Sequence, residues 1–295
     1  MEKIIIRLSA LFLLLLLMPW SLSALALTKG IYLTQSTLEN TKQLNYLIRN
    51  AKASGINTFI IDLEIPSKRY QQNIQLVKNS GITYVTRIEM FPNGGTPDQV
   101  KSNAYVEKKY LLVERAVAYG ADQIQLDYIR YNTKQSPSPQ NAKDIYKIIN
   151  LYKQRLATKN IPLQVDVFGI SAFGESKYIG QNIKLFSTTI DVLCPMVYPS
   201  HYVPFAEHFR TPYETVHKSL VAIRGQFPNK QPPFKLVPYI ELSNYHYQLS
   251  QRKKFDYIYA QIQAAENAGA DGWYAWSPHN YYDNLFHVLQ NYQVK

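Results

Sequence analysis

The 295-residue sequence contains little cysteine and little charge, and these two shortages exclude several classes of protein. Its single cysteine, Cys194, cannot form an intramolecular disulfide, so a disulfide-stapled mini-protein is excluded. Because 46% of the residues are hydrophobic and only 18% are charged, a disordered or collagen-like chain is excluded as well. One large domain or two small ones remain. Since Cys194 lies within an apolar run, we expect a buried thiol.

Acidic residues are scarce, with 21 Asp and Glu against 32 Lys and Arg, which gives a formal net charge of +11. A basic balance by itself suggests nucleic acid, an anionic surface or an acidic polymer as the partner. The sequence, however, lacks an RNA-binding aromatic motif, zinc-finger spacing and a long basic run. We therefore expect no nucleic-acid partner, and the charge weakly suggests a polyanionic glycan or an envelope surface.

Residues 1–26 have the three parts of a signal peptide. Lys3 and Arg7 precede an apolar stretch at residues 11–17, and small residues follow at Ala24 and Ala26. We expect cleavage near Ala26, an exported protein that is periplasmic or secreted, and no stable membrane span after cleavage. A retained N-terminal anchor is the alternative. Residues 27–295 would form a single domain, which we expect to be monomeric.

A repeated pattern, in which a helical run ends at a glycine and an apolar strand follows, predicts the fold. The glycines are Gly55, Gly81, Gly120 and Gly269, each suited to a left-handed helix C-cap. Eight strands are predicted, at residues 30–34, 58–64, 83–89, 123–130, 163–170, 191–198, 236–242 and 272–278. Helical periodicity lies between them, for example at residues 38–54, 99–119, 140–159, 212–226 and 255–268.

Eight strand–helix units predict an α/β protein that is a single (β/α)8 TIM barrel. No linker or composition break divides the chain. A doubly wound open sheet is the alternative fold. It is disfavoured because the sequence has neither a G-x-G-x-x-G nor a Walker motif, which would bind phosphate groups at the crevice of such a sheet.

Two aspartates lie near the ends of neighbouring predicted strands. In strand four, period-two alternation directs Asp127 into the barrel interior and Tyr128 toward the helices. In strand five the same alternation directs Asp166 inward. Chemistry in such barrels lies at the carboxyl ends of the strands, and adjacent strands are about 4.8 Å apart. That spacing favours a retaining glycosidase, whose carboxyl groups are about 5–5.5 Å apart.

Further polar residues are predicted at the same rim. Asp62 and Glu64 end strand two, Arg87 and Glu89 end strand three, and Glu241 ends strand seven. Close carboxylates raise one another's pKa, so one acid could stay protonated as general acid while Asp127 stays ionised as nucleophile. The alternative is a purely structural ion network in which Arg87 and Arg130 neutralise the interior acids.

Aromatic and histidine side chains also follow the strands. Trp276 and Tyr198 are the best candidates for stacking on a sugar ring. His201, His246 and His279 raise the alternative of a catalytic zinc, but the sequence has no H-E-x-x-H motif, so we expect no metal and no cofactor. His201 is instead a candidate hydrogen-bonding group for the substrate. A serine nucleophile is disfavoured because no G-x-S-x-G motif occurs.

Four longer motifs, QLDYIR at 125–130, VDVFG at 165–169, PMVYPSHY at 195–202 and AGADGW at 268–273, together resemble the bacterial glycoside hydrolase family DUF4015. The resemblance extends from about residue 29 to residue 283. It implies a (β/α)8 barrel distantly similar to the α-amylase clan, with Asp127 as nucleophile and Asp166 as acid/base. The chain departs from the family pattern at Leu63-Glu64, at Asn132 and at Glu241.

These observations predict an exported glycoside hydrolase that acts on a polysaccharide or oligosaccharide. Asp127 and Asp166 are the predicted catalytic pair, and the predicted substrate-binding residues are Asp62, Arg87, Arg130, Tyr198, His201, Glu241 and Trp276. Two other functions stay open, namely a glycan-binding barrel without activity and a metal-dependent polysaccharide deacetylase that uses the three histidines.

Overall fold

The computed structural model describes residues 27–292. The predicted signal peptide at residues 1–26 therefore lies outside the described residues. Strands and helices alternate in the order β1 (Thr28–Leu33), α1 (Gln35–Glu39), α2 (Thr41–Ala53), β2 (Thr58–Asp62), α3 (Lys68–Asn79), β3 (Thr83–Glu89), α4 (Pro97–Lys101), α5 (Asn103–Ala118), β4 (Gln123–Asp127), α6 (Pro139–Ala157), β5 (Leu163–Phe168), α7 (Ile183–Phe186), β6 (Val192–Met196), α8 (Phe205–Arg210), α9 (Pro212–Gly225), β7 (Lys235–Leu236), β8 (Tyr239–Glu241), α10 (Gln251–Asn267), β9 (Gly272–Trp276) and α11 (Asp283–Asn291).

The strands form a closed parallel barrel, which confirms the predicted (β/α)8 fold. Each of β1 to β6 pairs with the next strand in the chain, β8 lies between β6 and β9, and β9 pairs with β1. The short strands β7 and β8 together occupy the seventh strand position of the barrel, because both pair with β6. They are separated at Pro238, which has no N–H to donate to a ladder. In the part of the chain that the structure describes, no helix is long and apolar enough to cross a membrane.

Local sequence signals account for the helix ends. The four predicted C-cap glycines, Gly55, Gly81, Gly120 and Gly269, all have positive φ between 71° and 87°, a conformation that costs glycine little. The predicted helix at 38–54 divides into α1 and α2 because the Asn40 side chain accepts from the Gln43 N–H and starts a new helix. Ser102 caps α5 in the same way and separates it from α4.

Two apolar regions form the core. The larger lies between the outer face of the barrel and the helices, and it includes Val165 and Val167, which flank the inward-facing Asp166 on β5. A smaller interior cluster fills the barrel itself and includes Cys194, which is fully buried as predicted. Side chains of Gln125 and Gln164 hydrogen-bond to each other across this interior. In barrels of this kind the packed interior leaves the site for chemistry at the carboxyl ends of the strands.

Candidate active site

A cavity of about 390 Å³ opens at the carboxyl ends of the strands. Its lining combines one arginine and two aspartates with a largely aromatic wall. The lining residues are Tyr32, Arg87, Asp127, Tyr128, Asp166, Phe168, Gly169, Ile170, Met196, Tyr198, His201, Tyr202, Val203, Tyr239 and Trp276. A few polar groups in an aromatic pocket are typical of a small-molecule or sugar site.

Strand register brings the charged residues of this cavity together. Glu89 at the end of β3 lies opposite Asp127 at the end of β4, and Leu126 lies opposite Val165, which precedes Asp166 on β5. Because alternate residues of a strand share a face, Arg87, Asp127 and Asp166 all face the barrel interior. The predicted convergence of these three side chains is confirmed.

Arg87 is the centre of the charge cluster. Its guanidinium hydrogen-bonds to Asp62 Oδ1 at 2.5 Å and to Asp127 Oδ2, 3.0 Å from Nε, and it lies 3.1 Å from a carboxylate oxygen of Glu89. Burial alone would lower the pKa of Arg87, but the carboxylates of Asp127 and Asp62 outweigh it and raise that pKa well above its ordinary value. The arginine is therefore a permanent cation that neutralises part of the acidic cluster.

Asp166 differs from its neighbour Asp127 in its surroundings. It is 1% exposed, and among residues 27–292 neither of its carboxyl oxygens has a hydrogen-bond partner. Burial, followed by the charge of Asp127, raises the pKa of Asp166 well above its ordinary value. Its nearest cationic atom, Arg87 Nε, lies 3.9 Å away. Burial without a hydrogen-bond partner therefore favours the neutral form of this carboxyl group more than it would for an exposed aspartate.

The distance between the two carboxyl groups is bounded by Arg87. Asp127 Oδ2 lies 3.0 Å and Asp166 Oδ2 lies 3.9 Å from the same Nε atom. Two atoms at those distances from a third can be no more than about 7 Å apart. This upper limit applies to the two Oδ2 atoms, and it is compatible with the separation of about 5–5.5 Å between the carboxyl groups of retaining glycosidases.

Asp62, which lies behind the cavity wall, and Tyr32, which lines the cavity, support the charge cluster. The Tyr32 hydroxyl donates to Asp62 Oδ2 at 2.5 Å, while Arg87 occupies the other oxygen. Burial raises the pKa of Asp62 in spite of these two partners. Asp62 does not itself line the cavity. The structural ion network that we considered as an alternative is therefore present for Asp62 and Asp127, with Arg87 as the cation.

Arg130 is placed differently from Arg87. Its guanidinium lies 4.9 Å from the centre of the Phe168 ring and 5.6 Å from that of Tyr128, and it donates to the Tyr131 carbonyl oxygen. It forms no ion pair with Asp127 or Asp166 within the described residues, and it lies outside the cavity lining. Arg130 therefore braces two aromatic walls of the cavity by cation–π contact.

The aromatic wall contains the two predicted sugar-stacking residues. Trp276 and Tyr198 are stacked with ring centres 5.0 Å apart, and Tyr245 stacks on Trp276 at 5.8 Å. His201 packs edge-on against Tyr198 at 5.3 Å. Partial burial lowers the pKa of His201, and the neighbouring His246 adds to the effect. A neutral imidazole at the cavity can donate or accept a hydrogen bond.

Glu241 does not line the cavity. Its side chain accepts hydrogen bonds from Ser200 in the loop that follows β6. Its fully buried carboxylate accepts from the Ser200 N–H at 2.7 Å, from the Ser200 hydroxyl at 2.6 Å and from the Tyr257 hydroxyl at 2.6 Å. Burial raises the pKa of Glu241 to about 7, although these donors oppose the rise. Because Ser200 precedes His201, the glutamate fixes the turn that carries this predicted substrate-binding residue.

Several lining residues escaped the sequence argument. Tyr128 was predicted to face the helices, which is wrong. Strand β4 ends at Asp127, and the next residue, Tyr128, has a positive φ of 49° and its ring lines the cavity. Gly169 also lines the cavity. A side chain does not fit at this position, because a Cβ would lie 2.0 Å from the Tyr202 hydroxyl oxygen. A glycine near the end of the predicted strand that carries Asp166 was the available signal for this close approach.

The three histidines of the metal alternative do not assemble. His201 contacts Trp276, whereas His246 stacks on Phe205 at 3.9 Å and His279 contacts Tyr281. Within residues 27–292, no group of three or more histidine, cysteine, aspartate or glutamate residues could hold a metal ion. The geometry therefore gives no support to a zinc-dependent deacetylase.

The fold is similar to those of solved glycosidases at low sequence identity. The endo-β-1,4-mannanase from Thermotoga petrophila matches with a TM-score of 0.64 and 11% identity over 90% of this chain and 76% of that one. The spore cortex-lytic enzyme SleL from Bacillus megaterium QM B1551 gives 0.63 and 11% over 90% and 73%. A class V chitinase from Pseudomonas fluorescens Pf-5 gives 0.63 and 12% over 90% and 99%. These similarities show the barrel fold.

No curated protein matches the sequence. A family model does match: DUF4015, described as "Putative glycosyl hydrolase domain", aligns with residues 97–282. This match covers more than half of the chain and includes β4, β5 and the loop after β6, which carry many of the cavity residues, whereas Tyr32 and Arg87 precede it. The chain therefore belongs to the DUF4015 family of glycosyl hydrolase domains.

Proposed function

We propose that the protein is an exported glycoside hydrolase that cleaves a polysaccharide or oligosaccharide with retention of anomeric configuration. One observation carries the proposal: two carboxyl groups from neighbouring strands share a cavity but have opposite environments. Asp127 is ion-paired with Arg87, whereas the buried Asp166 has a raised pKa. A carboxylate paired with a cation, beside a buried carboxyl group that favours its neutral form, is the arrangement that glycosidases need.

The reaction follows from these two environments. Asp166 in its neutral form donates its proton to the glycosidic oxygen while Asp127 attacks the anomeric carbon, and the leaving sugar departs as an alcohol. A covalent glycosyl–Asp127 ester then forms, and Asp166, now a carboxylate, accepts a proton from an attacking water. The water oxygen bonds to the anomeric carbon, Asp127 leaves, and both residues return to their starting states.

The surroundings support these roles. Asp127 accepts hydrogen bonds from Arg87 and from the Tyr128 N–H, but a carboxylate has about four acceptor positions, so lone pairs remain for attack. Trp276, Tyr198 and Tyr239 supply apolar surface beside the pair, which suits the hydrophobic faces of sugar rings.

The test is product release from a panel of glycans, including mannan, chitin oligosaccharides, peptidoglycan and α-glucan. Wild-type protein should release product from at least one glycan, and Asp127→Asn should not. Asp144→Asn is the matched control, because Asp144 is also a buried aspartate but bonds to Tyr131 and lies outside the cavity lining. Equal release by Asp127→Asn and wild type would remove Asp127 from the nucleophile role.

One observation favours a second function, a glycan-binding barrel without activity. Both oxygens of Asp127 are already engaged, Oδ2 by Arg87 and Oδ1 by the Tyr128 N–H at 2.5 Å. If that engagement prevents attack, calorimetry will show binding of a glycan from the panel while no product forms. Product formation by wild type excludes this function.

Export is proposed from the sequence of residues 1–26 alone. The expected result is a mature chain that begins at Leu27 when the full sequence is expressed in a bacterial host. Mass spectrometry of the N-terminus in the periplasmic or extracellular fraction tests it. An intact Met1 in the membrane fraction would support the retained anchor instead.

A further inference from the structure

A second concave region lies beside the catalytic cavity, between α8, α9 and α10. We call it the distal groove; its volume is about 460 Å³ and it is lined by Phe209, Arg210, Pro212, Tyr213, Glu214, Leu249, Lys253, Asp256, Tyr257 and Ala260. The mechanism described above uses none of these residues. Aromatic rings among polar side chains are the same kind of lining that the catalytic cavity shows.

A row of aromatic side chains on neighbouring residues leads from the cavity to the distal groove. We call it the aromatic ridge, and its members are Phe205, Phe209, Tyr245, His246 and Tyr247. At the cavity end, Tyr245 stacks on Trp276 at 5.8 Å. At the groove end, the ring of Tyr247 lies 4.5 Å from that of Phe209, which itself lines the groove. His246 lies between them and stacks on Phe205 at 3.9 Å.

Four of the five ridge members are exposed to solvent, and Phe209 is half-buried. Tyr245 is 52% exposed, and Tyr247 and Phe205 are each 36% exposed. Val203, which lines the cavity beside this ridge, is 77% exposed. Contiguous exposed apolar surface on a protein marks a binding site more often than chance. Because the ridge is continuous with the catalytic cavity, the same ligand can occupy both.

Charge indicates what kind of polymer fits. The ridge contains no Asp, Glu, Lys or Arg, and in the distal groove Arg210 and Lys253 are balanced by Glu214 and Asp256. In the cavity, Arg87 is outnumbered by its acidic partners. The positive charge of the chain is therefore not concentrated along this path, which disfavours the polyanionic glycan suggested by composition alone.

We propose that the distal groove is a glycan subsite, that the aromatic ridge connects it to the catalytic cavity, and that the substrate is an uncharged polysaccharide chain cleaved internally. The inference rests on the proposed function for the cleavage step, but binding to the groove can be tested without it. Sugar rings would stack on the exposed tyrosine faces, while the groove's charged side chains offer hydrogen bonds to hydroxyl groups.

The experiment uses the full mature chain and two readouts. The first is the ratio of kcat/KM on galactomannan, or on whichever neutral polymer is cleaved, to kcat/KM on a short aryl glycoside of the same sugar. The Phe209→Ala/Tyr247→Ala variant should lower this ratio by about tenfold, the loss expected for removed stacking contacts. Tyr46→Ala, an exposed tyrosine on α2 far from the ridge in sequence, is the matched control. An unchanged ratio in the double variant overturns the proposal.

The second readout needs no activity and no ridge substitution. In Asp127→Asn protein, acetylation of Lys253 by acetic anhydride should slow when galactomannan, hydroxyethyl cellulose or glycol chitin is bound, while exposed Lys108 on α5 should react as before. Protection by at least one of these neutral polymers, without protection by polygalacturonate, supports the subsite even if no glycan is hydrolysed. Equal labelling of Lys253 with and without each polymer, or protection by polygalacturonate alone, contradicts it.

Discussion

Replacing Glu241 by glutamine should change how the stability of the protein depends on pH. Burial raises the pKa of Glu241 from the ordinary 4.5 to about 7 in the folded state. Between those pH values the folded protein holds a proton that the unfolded chain has released, so stability falls as pH rises through this window. Each pKa unit corresponds to about 1.4 kcal/mol, so the whole change is about 3 kcal/mol. Glutamine does not titrate, so the Glu241→Gln variant lacks this change of stability with pH.

The assay is urea unfolding followed by the fluorescence of Trp273 and Trp276, at pH values from 4 to 8. The free energy of unfolding of wild type minus that of Glu241→Gln should fall by about 3 kcal/mol across this range. Groups that titrate in both proteins cancel in the difference. Glu114→Gln, which changes an exposed glutamate on α5, is the control and should show no such trend. A difference that stays flat, or that rises with pH, would refute the reasoning.

Three further predictions concern the cavity. Arg87→Gln should destabilise the protein by about 3–5 kcal/mol, and more at pH 8 than at pH 5, because it leaves buried carboxylates unpaired; an equal urea midpoint to wild type at pH 8 would contradict this. Asp166→Asn should lower kcat about 10²–10⁴-fold on a glycan. The loss should be much smaller on a dinitrophenyl glycoside, because dinitrophenolate leaves without being protonated. Equal losses on both substrates would argue against the acid role. Gly169→Ala should raise KM, since its Cβ would meet the Tyr202 hydroxyl at 2.0 Å, and an unchanged KM would show that Tyr202 does not contact the substrate.

The barrel could be predicted from sequence because its signals are local. Glycine C-caps and alternating apolar residues recur at each unit, and strand β3 occupies the predicted residues 83–89. The same alternation correctly directed Asp127 and Asp166 inward. It failed one residue later, at Tyr128, because a positive φ is a property of the loop and not of the strand period. The predicted carboxyl end of β4, residue 130, lies three residues beyond the observed end at Asp127, and such an error matters because Tyr128, one of the residues in between, lines the cavity.

The pairing among the acids could not be predicted. The sequence indicated that Arg87 and several carboxylates meet at one rim, but which acid Arg87 neutralises depends on side-chain reach across three strands. Glu241 was expected in the substrate site, and instead it holds the Ser200 turn. The aromatic ridge was missed because residues 243–250 follow no helical or strand period, so nothing in their order shows which rings stack.

The central claim is that Asp127 is the nucleophile of a retaining glycosidase, and one measurement tests it most directly. Protein treated with a set of activated 2-deoxy-2-fluoro glycosides, which slow hydrolysis of a glycosyl–enzyme ester, is digested and mapped by mass spectrometry. We predict a single added sugar on the peptide that contains Asp127, and none in Asp127→Asn. A sugar attached to another carboxylate, or hydrolysis that proceeds with inversion and leaves no adduct, would contradict the claim.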